Sequence, residues 1–157
     1  MDKEIKEKIM AFLGLQKSRF GVVSTVNEEN KPESAFLYFA FDENLNIYFV
    51  TKDTSRKFKN IVKNSNVSFA SATENPPQTL QLEGTAAVHS DIENQKHLFQ
   101  ELVGLASAKH FSPPISQQTT GGLQFIKITP NWIRFGNFEV RKHGDTFEES
   151  KPETKTP

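Results

Sequence analysis

Between residues 2 and 14, apolar side chains return at roughly helical spacing. Ile5, Ile9, Met10, Phe12 and Leu13 share one side, with Lys and Glu between them. This pattern predicts an amphipathic helix that stops near Gly14. Residues 19–26 are rich in β-branched side chains and predict a strand. Turn chemistry follows at 27–32, then strands over 34–41 and 45–51 joined by Asp42-Glu43-Asn44. The period then changes. Apolar Phe58, Ile61 and Val62 predict one short helix within 53–64, capped by Asp53 or Thr54. Residues 66–72 predict another strand, broken by Asn75-Pro76-Pro77. A long strand follows over 79–89, with Gly84 as a bulge or close-approach point. A second amphipathic helix runs from Asp91 to about 108. After a loop to Gly122, the pattern predicts a closing hairpin: a strand over 123–128, a turn at Thr129-Pro130-Asn131 and a strand over 132–138. From residue 139 hydrophobicity fades, which predicts a polar, disordered tail over 139–157.

Six or seven strands linked mostly by hairpin-length turns predict a mainly β (α+β) domain over residues 1–138. Its expected form is a small, nearly closed antiparallel barrel rather than a doubly wound sheet. The length of 157 residues fits one such domain with a real core. Fourteen phenylalanines make that core aromatic. The absence of cysteine rules out disulfides, thiolate metal sites, iron–sulfur clusters and cysteine nucleophiles. Nineteen basic and nineteen acidic side chains cancel, which argues against a dedicated nucleic-acid binder. The longest apolar run, residues 35–41, is too short to span a bilayer. The chain opens on charged residues rather than an apolar leader, so a cytoplasmic protein is expected.

Candidate chemistry concentrates where a strand meets the short helix, at Thr51-Lys52-Asp53-Thr54-Ser55-Arg56-Lys57. The first turn of a helix exposes backbone N–H groups and a partial positive charge. Arg56 and Lys57 oppose that charge unless an anion lies among them. A phosphate suits the set, with Arg as a planar fork, Lys as a point charge and Ser55 or Thr54 as hydroxyl donors. The bland alternative is two solvated cations on a surface helix. The histidines at 89, 97, 110 and 143 lack the spacing of a metal site. No nucleophile elbow, Walker loop or dinucleotide-binding glycine motif is present.

Several segments in order resemble the pyridoxamine 5′-phosphate oxidase-like FMN-binding split-barrel family. They are Ile47-Tyr48-Phe49-Val50-Thr51, Ser55-Arg56-Lys57, Asn60-Ile61, Asn66-Val67-Ser68-Phe69 and Gln81-Leu82-Glu83-Gly84-Thr85-Ala86. Ser116-Gln117-Gln118-Thr119-Thr120 and the stretch from Gly121 to Phe135 continue the likeness, which covers residues 18–138. The resemblance implies a six-stranded antiparallel split β-barrel, a homodimer and FMN at the dimer interface. It implies that Ser55, Arg56 and Lys57 grip the FMN phosphate. By the same resemblance, Ser34, Ala35 and Phe36 run beside the flavin, Val50 and Thr51 contact it, and Gln118 reaches it.

The chain departs from the family's oxidases at several positions. Ser34 stands where they carry Arg, Gln78-Thr79 where they carry Arg-Gln, and Gly136 where they carry a late Trp. Arg141-Lys142-His143 echoes their substrate grip out of register. These departures point away from pyridoxamine phosphate as substrate. They point toward an FMN-dependent oxidoreductase acting on another small molecule with its electron donor, such as a stress-related reductase. The alternative is a non-catalytic module that holds or senses flavin, deazaflavin or haem.

Overall fold

The computed structural model describes residues 1–15, 19–106, 122–139 and 146–152. Strict alternation turns 20–26 into strand β1 (Phe20–Val26), whose every second residue is buried. It pairs antiparallel with β2 (Pro32–Tyr38) on one side and β5 (Asn66–Thr73) on the other. β5 pairs with β6 (Gln78–Val88), β6 with β7 (Leu123–Asn137), and β7 with β4 (Ile47–Lys52). β3 (Ala40–Phe41) closes the order beyond β4, and β8 (Phe147–Ser150) joins the outer part of β7.

This order explains how the sheet becomes a barrel. β2 and β3 lie at opposite ends of the strand order, yet Phe39 alone separates them in the chain. The sheet must therefore roll until its two edges nearly meet. It is an antiparallel split barrel, as expected, but with eight strands among the described residues rather than six. The expected strand over 34–41 divides at Phe39, and the chain beyond 139 adds β8.

Two helices plug the barrel and one covers it. α1 (Lys3–Leu15) buries Ile9, Phe12 and Leu13 in a core with Phe39, Phe49, Phe69, Leu80 and Phe135. α2 (Arg56–Lys63) adds Ile61 to the same core. α3 (Ile92–Ala106) lays Leu98 and Leu102 on the outer face of the sheet, over Tyr38, Ala40, Tyr48 and Val50. β4 is consequently buried on both faces from Ile47 to Thr51. That explains its continuous apolar run. Asp91 caps α3, accepting from the N–H groups of Glu93 and Asn94 at 3.1 Å each.

Three local expectations are corrected. The closing hairpin is one long bent strand, because both halves of β7 find the same partner, the eleven-residue β6. Its register shifts opposite Glu83 and Gly84, so Asn131 is the extra residue of a bulge. Gly84 is required there: a Cβ would lie 2.3 Å from the carbonyl oxygen of Thr129. Second, residues 147–150 of the expected disordered tail form β8. Arg134 binds Glu149 at 2.6–2.7 Å and Lys8 of α1 binds Glu148 at 2.9 Å. Third, the cap of α2 is Ser55, not Asp53 or Thr54. Its hydroxyl accepts from the Phe58 N–H at 3.2 Å. Asp53 instead ties the preceding loop to Gly122 by a backbone bond of 3.1 Å and a side-chain bond of 3.3 Å.

Candidate functional site

The split itself defines the site. β3 holds β4 only at Ile47 and Tyr48. Beyond Phe39 the two strands part. The edges of β2 that face away from β1, and of β4 from Val50 onward, carry no further strand pairing among the described residues. α2 begins at this opening. Because Ser55 is the cap, Arg56 and Lys57 are its first two helical residues, and their backbone N–H groups have no acceptor within the helix. No acidic residue occupies that first turn.

A pocket of about 140 Å³ lies here, lined by Thr25, Glu33, Ser34, Ala35, Arg56 and Lys57. Residues 22 apart in sequence thus share one wall. Ser34 and Ala35 come from the free edge of β2, and Arg56 and Lys57 from the helix start. Behind them, the hydroxyls of Thr51 and Ser55 lie 2.8 Å apart. When Thr51 donates to Ser55, the Ser55 hydrogen is free to point at a ligand.

The two cations differ. The Arg56 side chain is 81% exposed and meets Glu33 at 3.4 Å. Lys57 is half-buried, and loss of hydration lowers its pKa from the usual lysine value, with no described carboxylate offsetting the shift. Among the described residues Lys57 has no ion-pair partner, since Glu33 on the same wall meets Arg56, and a bound anion would supply one. This chemistry fits a phosphate group: Arg56, Lys57 and Ser34 line one concave surface, and Ser55 caps the helix that begins beside it.

The other expected cofactor residues sit around this pocket in different ways. Thr51 is buried and linked to Ser55. The Val50 side chain packs beneath α3, while its backbone lies opposite Phe125 of β7. Phe36 stands on the same face of β2 as Ser34, 72% exposed, 6.0 Å from the ring of Phe20. Gln118 and Arg141-Lys142-His143 lie outside the described residues. Gly136 is packed about by side chains. A Cβ would meet the Thr79 hydroxyl at 2.7 Å and the rings of Phe138 and Phe147 at 3.1 Å each.

Sequence reasoning missed three members of the site. Glu33 accepts from Asn60 Nδ2 at 3.0 Å and from Asn27 Nδ2 at 3.4 Å. Buried Asn60 also donates to the hydroxyl of buried Thr25 at 3.0 Å. The one local signal was Asn60 itself, a polar residue between Phe58 and Ile61 on the inward side of α2. Among the described residues no cluster of His, Asp and Glu could hold a metal ion. Among them, too, no helix is long and apolar enough to cross a membrane.

A sequence model of the family described as pyridoxamine 5′-phosphate oxidase matches residues 5–137. Among solved structures, the chain is similar to General Stress Protein 26 from Bacillus anthracis str. Sterne. The identity is 26% and the TM-score 0.64, over 84% of this chain and 93% of that one. A putative pyridoxamine 5′-phosphate oxidase from Listeria innocua aligns at 20% identity and TM-score 0.66, over 83% of this chain and 97% of that one. A pyridoxamine 5′-phosphate oxidase-related, FMN-binding protein from Nostoc punctiforme PCC 73102 aligns at 16% identity and TM-score 0.63. It covers 91% of this chain and 86% of that one. At these lower identities the likeness is one of fold. Among curated proteins, none matches the chain.

Proposed function

The chain belongs to the pyridoxamine 5′-phosphate oxidase family, and from that premise we propose that it binds FMN and acts as a flavin-dependent oxidoreductase on a small molecule. The observation that carries this reading is the pocket at the barrel split. It joins Ser34 and Ala35 to Arg56 and Lys57, with a half-buried lysine that has no ion-pair partner among the described residues, Glu33 on the same wall being paired with Arg56. Arg56, Lys57, the first N–H groups of α2 and the Ser55 hydroxyl hold the phosphate. Thr51 keeps the Ser55 hydroxyl in place. The exposed edge of β2, with Phe36, offers an apolar surface beside it. Bound FMN would supply the hydride chemistry, so the protein need only orient it and shield one face.

A pocket of about 140 Å³ encloses a phosphate and part of a chain, but not a flat three-ring system. Sites that enclose ligands of that size usually measure about 300–1,000 Å³. The remainder needs a second wall. We therefore place the flavin between two copies of the chain, each contributing the surface around Phe36. Gly136, standing where the family's oxidases carry Trp, supports a substrate other than pyridoxamine phosphate.

The test is a titration of the purified full chain with FMN, read by flavin absorbance and fluorescence, followed by NADH or NADPH. Bound flavin that is reduced and reoxidised over many cycles supports the oxidoreductase. Bound flavin that does not turn over leaves the storage or sensing module. No binding of added FMN overturns both. The double variant Arg56→Ala/Lys57→Ala should release the cofactor. Two charge-assisted hydrogen bonds, at about 1.5–3 kcal/mol each, correspond to a loss of affinity of at least about 100-fold.

A further inference from the structure

Glu33 is the residue of the pocket that a pure anion site does not need. Its side chain is 20% exposed, against 81% for the Arg56 side chain that faces it. The carboxylate, not the guanidinium, is the fixed member of the pair. It is anchored from beneath by Asn60 at 3.0 Å, with Asn27 a longer contact at 3.4 Å. Asn60 in turn bonds Thr25, whose residual exposure is 1%. The anchor therefore reaches the barrel interior. The Arg56 contact, at 3.4 Å and largely in water, is weak. An incoming phosphate can take Arg56 over, while Glu33 stays where it is.

What remains is a wall with two cations, one serine hydroxyl and one fixed carboxylate, which only accepts hydrogen bonds when ionised. A ligand matched to this set carries an anion for Arg56 and Lys57 and a hydroxyl donor for Glu33. Inorganic phosphate can offer that carboxylate only the hydroxyl on its own phosphorus, which brings its negative charge against Glu33, whereas an ester offers a carbon-borne hydroxyl while its phosphate stays on the cations. We propose that Glu33 is a specificity-determining residue, selecting an organic phosphate with hydroxyl groups close to the phosphate, as on a sugar or polyol chain, over inorganic phosphate. The proposal rests on the reading of this pocket as the phosphate site. A purely structural Glu33, one that only ties α2 to β2 through Asn60, would affect unfolding and leave ligand preference unchanged.

The test is displacement of FMN from the full chain by ribose 5-phosphate and by inorganic phosphate. In the wild type, ribose 5-phosphate should displace FMN at concentrations about fivefold lower or less, the scale of one hydrogen bond gained against one repulsion avoided. In Glu33→Gln, which keeps a carbonyl acceptor for Asn60 and removes the charge, that preference should collapse. The gain should appear as tighter inorganic phosphate. Equal displacement by the two compounds in the wild type, or an unchanged ratio in Glu33→Gln, overturns the proposal. If Glu33→Gln fails to fold, the same ratio is read in Glu33→Asp, whose shorter side chain draws the carboxylate back from the ligand and should reduce the preference; an unchanged ratio there overturns the proposal equally. If Arg56→Ala/Lys57→Ala keeps FMN with undiminished affinity, the phosphate reading itself has failed, and this proposal falls with it by a separate observation.

Discussion

Lys57 and Gly136 show how single residues set the site. Lys57 is held in a half-buried position where the charged form is poorly solvated. Its folded-state pKa is lowered, so the unfolded chain binds the proton more tightly. Folding is therefore penalised at pH values below the folded pKa. The penalty fades as pH rises through that value toward the ordinary 10.5. Lys57→Met should raise the melting temperature of the cofactor-free protein at neutral pH. Its advantage over the wild type should shrink as pH approaches 10.5. The same variant should bind FMN about 10- to 100-fold more weakly, the scale of one charged hydrogen bond. Melting curves across pH, with flavin titrations beside them, check both halves. A variant that loses stability at neutral pH would show that the lysine is packed rather than poised. Arg56 and Lys57 were legible in the sequence as cations where a helix dipole disfavours them. Glu33 was not. Its role depends on Asn60 and Arg56, which lie 27 and 23 residues away in sequence, and no local pattern announces such a meeting.

At the scale of elements, the barrel turns on the bend of β7. The sequence read Thr129-Pro130-Asn131 as a hairpin turn, which its residue types favour. The pairing decides otherwise, because β6 is long enough to hold both halves of β7 as one strand with a bulge. Such pairing is nonlocal, so turn chemistry alone could not reveal it. β8 escaped for a related reason. Its stretch carries one large apolar residue, Phe147, and two of its acidic residues bind Arg134 and Lys8. By contrast, the helices and the inner strands were legible because their burial follows their own periodicity. Gly84→Ala should cost about 1–3 kcal/mol, since its Cβ meets backbone that cannot move aside. Gly14→Ala is the control. It lies within α1 with nothing within 4 Å of a new Cβ, and should stabilise by about 0.5–1 kcal/mol. Denaturant unfolding of the two variants separates close approach from mere glycine content. Equal effects from both would remove the bulge from the account.

For the whole molecule, the two extremes of the aromatic excess stand apart. Phe12, Phe39, Phe49, Phe69 and Phe135 fill the core, whereas Phe36, Phe138 and Phe147 remain 72%, 43% and 43% exposed. Phe138 and Phe147 cover each other edge to face at 5.4 Å. Phe36 has its ring near Phe20 but stands mostly in water beside the pocket. An exposed ring next to a pocket too small for its proposed ligand is most economically explained by a second copy of the chain closing over both. The net charge of zero does nothing to oppose that approach. On this reading, dimer formation and flavin binding share one surface and must be linked: each strengthens the other by the same free energy. Sedimentation of the wild type should give twice the chain mass of 17.8 kDa, with the dimer tightened by FMN. Phe36→Ala should keep the far-UV spectrum of the folded barrel, weaken the dimer, and weaken FMN binding, with the loss of flavin affinity smallest at high protein concentration. A monomer that binds FMN as tightly as the wild type, with or without Phe36, would break the link and leave the ring to be held by one chain alone.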